Sequence, residues 1–149
     1  MESEASQWQP FSRRGWSIQF DYPDPTPQGF AIRRDETPFR ANERVHLSSP
    51  ESQELYFEVV RFRELAPEDE YTSHKPYLEQ WFGTDSVTAL TETSLHGRPV
   101  LTYAFRWDGG ERSVLLLQEG GDTYRVIYDP RSPLNADVLA TLATRLRAR

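Results

Sequence analysis

An α+β domain, one antiparallel sheet of about six strands flanked by helices, is the fold class that three features of the sequence predict. The first is a meander over residues 97–128. Residues 99–107 alternate Leu101, Tyr103, Phe105 and Trp107 against Val100, Thr102, Ala104 and Arg106, the period of a half-buried strand. Asp108-Gly109-Gly110 supplies the positive φ angles of a hairpin, and residues 112–118 follow with Val114 to Leu117. Gly120-Gly121-Asp122 turns the chain again, and residues 123–128 set Tyr124, Val126 and Tyr128 against Thr123, Arg125 and Ile127. The second feature is a helical stripe of Tyr77, Leu78, Trp81 and Phe82 before this meander, and the third is a closing helix after it.

Taken in order, residues 1–14 have no periodicity beyond Trp8 and Phe11 and read as a flexible tail ahead of a single domain over 15–149. Residues 16–22 alternate Trp16, Ile18, Phe20 and Tyr22 against Ser17, Gln19 and Asp21, a strand that Pro23, Pro25 and Pro27 bring to an end. Short strands are predicted over 30–34 and 45–48, with loops at 37–44 and 49–52. Residues 55–65 form the longest candidate, apolar on both faces and therefore internal to the sheet. Glu68-Asp69-Glu70 reads as a solvated loop or the first turn of a helix. Thr72 or Ser73 is the expected N-cap of the helix, with Pro76 near its start and Gly83 stopping it. A weak strand pattern covers 86–95, and Asn135 is the expected cap of the last helix, whose inner stripe is Val138, Leu139, Leu142 and Leu146.

Composition bounds the function. The chain has 149 residues, and aromatics at 13 % must carry much of the core burial, since the hydrophobic share is 37 %. Cysteine is absent, which removes disulfides and thiolate zinc sites alike. No apolar run approaches the ~20 residues of a membrane span and the first ten residues lack a signal-peptide core, so no membrane insertion and a cytoplasmic location are expected. The net charge of −6 opposes attraction to phosphate backbones, which argues against nucleic acid.

Gly15-Trp16-Ser17-Ile18-Gln19-Phe20-Asp21-Tyr22-Pro23, the mid-chain strand and helix, Gly97-Arg98-Pro99 ahead of an aromatic strand, Asp122-Thr123-Tyr124-Arg125-Val126 and the closing helix together resemble the PsbP-like family. That family includes an extrinsic photosystem II subunit and a Ran-binding nuclear transport factor. The resemblance spans about residues 15–147 and implies an α/β/α sandwich around an antiparallel sheet. For function it implies an accessory or binding protein, with no catalytic set to carry over.

The residues themselves offer little catalytic chemistry. His46, His74 and His96 form no ligand pair at i,i+2 or i,i+4, and no metal or cofactor motif is present, so none is expected. His74 and His96 read as exposed polar residues, the glycine pairs as hairpin turns, and Glu68 to Glu70 as a solvated run without the apolar setting that acid–base work needs. No serine-nucleophile motif occurs. Arg33, Arg61, Arg106 and Arg125 all fall inside predicted strands. If the registers align them they form a basic patch, with Tyr103 and Trp107 as flat contacts, suited to an acidic protein surface or a small anion. Polar-out alternation of a half-exposed sheet explains the same arginines without a partner.

The expected function is therefore a non-enzymatic module that binds a protein partner through a sheet face or edge. In that reading the aromatic rings are consumed in joining helices to the sheet. The alternative is a small-molecule binder or enzyme similar to the nuclear-transport-factor-two-like family, with Trp16, Tyr22, Tyr103 and Tyr124 lining a pocket of roughly 300 Å³ or more.

Overall fold

In the computed structural model the described residues are 8–11, 17–23, 31–34, 41–48, 56–107, 110–131 and 133–145. They form, in order, β1 (Trp8–Phe11), β2 (Phe20–Pro23), β3 (Ala31–Arg34), β4 (Ala41–Ser48), β5 (Tyr56–Phe62), α1 (Pro67–Phe82), β6 (Thr91–Leu95), β7 (Arg98–Trp107), β8 (Gly110–Glu119), β9 (Asp122–Tyr128) and α2 (Pro133–Arg145). Strands β3 to β9 make one seven-stranded antiparallel sheet in the order β3-β4-β5-β9-β8-β7-β6, while β1 and β2 pair as a separate ribbon.

The meander takes the register its pattern implies, with Tyr103 opposite Val114 and Val114 opposite Ile127. Its β8–β9 turn places Gly120 and Gly121 at φ 63° and 87°, where a Cβ would be strained. Tyr103, Phe105, Val114, Leu116 and Ile127 then share one face with Leu78 of α1. The opposite face carries Phe57, Val59, Leu115, Leu117, Tyr124 and Val126, and it packs against Val138, Leu139 and Leu142 of α2 and against Phe11, Ile18 and Phe20 of the N-terminal segment. A helix thus lies on each face of one sheet.

Several boundaries differ from the sequence reading, each for a tertiary reason. Residues 8–11, read as tail, are a strand, and Phe11 is buried with its ring 5.2 Å from that of Phe20. The folded body therefore starts no later than Trp8. The predicted strand over 16–22 is laddered only from Phe20, and it runs on through Pro23, which pairs with Trp8 at the end of the ribbon where a missing donor is tolerated. β4 begins at Ala41 inside the expected loop, with a register shift between Ala41 and Glu43. Its charged residues conceal the strand because their partners are distant in sequence. α1 begins at Pro67, five residues or more before the expected cap, with proline preset for the first helical position and Glu68 and Asp69 in the first turn. Gly83 ends it as expected, its N–H bonded to the Glu79 carbonyl. α2 starts at Pro133, so Asn135 lies inside its first turn and does not cap it. Leu146 and the turn at 49–52 lie outside the described residues.

On the α2 face a buried carboxylate holds the N-terminal segment to the sheet. Glu43 accepts the backbone N–H groups of Ser17 and Ile18 at 3.1 Å and the Arg61 Nη1 at 2.6 Å. Arg61 also donates through Nε to Asp122 at 2.8 Å, and the Ser17 hydroxyl lies 2.5 Å from that of Tyr124. Removing the Glu43 carboxylate leaves Arg61 short of a partner in a part-buried place and orphans two buried amides. Glu43→Ala should therefore cost about 3–5 kcal/mol of unfolding free energy, measured by urea denaturation. A loss below about 1 kcal/mol would show that the network is no more than a surface ion pair.

Candidate functional site

The inward face of α1 carries Pro67, Glu70, His74 and Leu78, spaced by three and four as one helical face requires, with Tyr71 half-buried beside them. The expected apolar stripe is a different face. Leu78 is buried, but Tyr77, Trp81 and Phe82 are 57 %, 66 % and 42 % exposed. The inward face is polar because the sheet opposite carries Arg125 and Tyr103.

Glu70, expected in solvent, is 2 % exposed. Its Oε2 accepts Arg125 Nη1 at 2.9 Å and its Oε1 accepts the Tyr103 hydroxyl at 2.9 Å. His74, also expected in solvent, is nearly buried, with Nδ1 2.7 Å from the Tyr103 oxygen and 3.4 Å from Glu70 Oε2. The Tyr103 proton is committed to Glu70, so His74 Nδ1 must supply the proton between the two side chains. That assigns the imidazole proton to Nδ1 and leaves Nε2 with a free lone pair, without a protein partner among the described residues. Burial, together with the nearby positive charge of Arg125, pushes the His74 pKa down to about 2. Burial, reinforced by the Glu70 carboxylate, moves the Tyr103 phenol upward, so it stays protonated. The ring of Tyr71 meets Tyr103 edge-on at 4.8 Å and fixes it from the other side.

Of these groups Glu70, His74 and Arg125 form the inner wall of a hollow of about 800 Å³ that is open to solvent. Phe62, Leu65, Leu78 and Ile127 supply apolar walls, while Ser73 and Tyr77 stand at the helix side. Across from them Arg44 of β4 grips Glu58 of β5, with Nε and Nη2 at 2.8 and 2.5 Å from one carboxylate oxygen. The Arg125 guanidinium lies 5.0 Å over the Phe62 ring. Its Nη1 is engaged by Glu70, its Nε is buried without a hydrogen bond, and its Nη2 has no protein partner among the described residues.

Of the residues predicted for a site, Arg125 and Tyr103 meet here and the others do not. The β5–β9 register sets Val60, not Arg61, opposite Arg125, so the two arginines point to opposite faces. Arg61 is committed to Glu43 and Asp122. Arg106 is exposed on β7, with Nη2 3.3 Å from the Asp85 carbonyl. Trp107 is half-buried beneath the Arg112 guanidinium at 4.5 Å. Arg33 lies opposite His46 in the β3–β4 ladder, and its side chain is outside the description. Arg61 and Arg125 are thus counter-ions on opposite faces and not members of one aligned patch. Of the alternative lining, Tyr124 is in the core of the α2 face, and Trp16 and the Tyr22 side chain lie outside the description. The aromatic rings do not fill the space on the α1 side.

Glu70, His74, Glu58 and Arg44 were missed by sequence reasoning. One signal was present: a helix started at Pro67 stacks Glu70, His74 and Leu78 at intervals of four. Among the described residues no cluster of three histidine or acidic side chains is placed to hold a metal, and no helix is long and apolar enough to cross a membrane. No protein-family model matches the chain, and no curated protein sequence matches it.

The histidine carries a pH prediction. A folded pKa near 2 against an ordinary 6.5 means the unfolded chain binds the extra proton between those values. The stability that His74 contributes is thus complete above about pH 6.5 and is lost as pH falls below it, by roughly 2 kcal/mol between pH 7 and 5. In wild type the His74 ring resonances should keep their neutral positions down to pH 5, and His74→Phe should flatten the pH dependence of the urea midpoint in that window. A ring that titrates near pH 6.5 would contradict the buried, neutral state.

Proposed function

We propose that this protein is a non-catalytic binding domain for a small organic molecule, held between α1 and the sheet. The observation that carries the reading is the hollow of about 800 Å³ whose walls are apolar and whose inner side presents a few oriented polar groups, the usual composition of a ligand site. A binding role fits the inner groups better than a catalytic one. Glu70 is spent on three partners, and an imidazole with a pKa near 2 is too weak a base to take a proton near neutrality. The PsbP-like resemblance is retained as part of this proposal, supported by a helix on each face of one antiparallel sheet.

A protein partner is the second reading. The exposed aromatics Tyr77, Trp81 and Phe82 of α1 favour it, and β6, which ends the sheet, offers an edge. A sheet face offers less, because α1 covers one and α2 with the β1–β2 ribbon covers the other.

The two readings separate in a two-dimensional amide NMR screen with a library of small aromatic and aliphatic fragments. Hits should shift Phe62, Leu65, Ser73, His74 and Arg125 together, and Ile127→Trp, which fills the hollow, should abolish those shifts while leaving the fold intact. Shifts confined to Trp81, Phe82 and β6, or no reproducible cluster, would discard the pocket reading.

A further inference from the structure

Among the described residues that line the hollow the charges cancel. Arg44 is bonded to Glu58 and Arg125 to Glu70, and His74 contributes none. A ligand that carried a net charge into this space would lose hydration without an uncompensated counter-charge to receive it. Hydrogen-bonding capacity does not cancel in the same way. The His74 Nε2 lone pair can accept one bond, because Nδ1–H is held by Tyr103 and Glu70. Arg125 Nη2 can donate, because Glu70 engages Nη1. The two residues, one on α1 and one on β9, line the same hollow.

We propose that the buried part of the ligand is uncharged and carries both a hydrogen-bond donor, for His74 Nε2, and an acceptor, for Arg125 Nη2, as a carboxamide does and a carboxylate or an ammonium does not. This rests on the pocket being a binding site and adds the chemical class of what it binds. An amide presents N–H and C=O side by side. A carboxylate has nothing to donate to the lone pair of Nε2, and an ammonium has nothing to accept from the guanidinium.

Three probes of matched size test it: benzamide, benzoate and benzylamine, the last as its cation at pH 7, titrated into the full chain and followed by amide NMR. Affinities on the order of millimolar are reasonable for molecules this small. Benzamide should bind roughly five- to tenfold tighter than either ion, with shifts centred on His74 and Arg125. His74→Phe, which keeps a ring but removes the acceptor, should erase most of that preference.

If benzoate or benzylamine binds as tightly as benzamide through the same residues, the charge and donor assignment is overturned while the pocket stands as a site. If the preference survives in His74→Phe, His74 is not the acceptor. If all three are silent although the wider fragment screen finds pocket binders, the amide class is excluded. Silence in both experiments removes the pocket reading itself.

Discussion

The buried carboxylate of Glu70 is the interaction on which the α1 face of this protein depends. A charge so far from water is tolerated only when its partners are in place, and three side chains supply them: Arg125 from β9, Tyr103 from β7, and His74 one helical turn away. The arrangement fixes the helix in two senses. Glu70 sets where along the sheet it lies, because the guanidinium and the phenol come from strands separated by β8. The four-residue spacing from Glu70 through His74 to Leu78 sets its rotation.

The α2 face meets the same requirement with a parallel solution. Glu43 on β4 is buried and receives Arg61 from β5, together with two amides of the segment that leads into β2. Arg61 and Arg125 are thereby explained as internal counter-ions, one on each face at the β5–β9 pair. Register decides which face each serves. Val60 stands opposite Arg125, so Arg61, one residue on, points the other way.

The hollow follows from what α1 presents to the sheet. A helix that turns Glu70 and His74 inward spends much of its inner face on hydrogen bonds, and from its middle turns Leu78 is buried in the apolar cluster while Tyr71 packs against it half-buried. Space remains toward β4 and β5, where the Arg44–Glu58 pair stands across from the helix. Two large rings of α1 stay outside: Tyr77 lies near the His74 ring and in edge contact with Trp81, and neither is buried. The result is a recess with apolar walls, balanced charge and oriented polar atoms.

By itself the sequence determined the α+β class, the meander with its Gly120-Gly121 turn, the sidedness of β5, β7 and β9, the stop at Gly83 and the inner stripe of α2 through Leu142. These are local: alternation, glycine at positive φ and a 3.6-residue period act between near neighbours, so they can be read from the residues in order. Tertiary structure alone decided that Trp8–Phe11 joins the fold, that Ala41–Arg44 is strand, and that Glu70, His74, Arg125 and Tyr103 converge. In each case the stabilising partner is remote along the chain. A carboxylate such as Glu70 looks solvated until the strand that brings its counter-ion is in place, because burial of a charge is favourable only together with the group that pairs it.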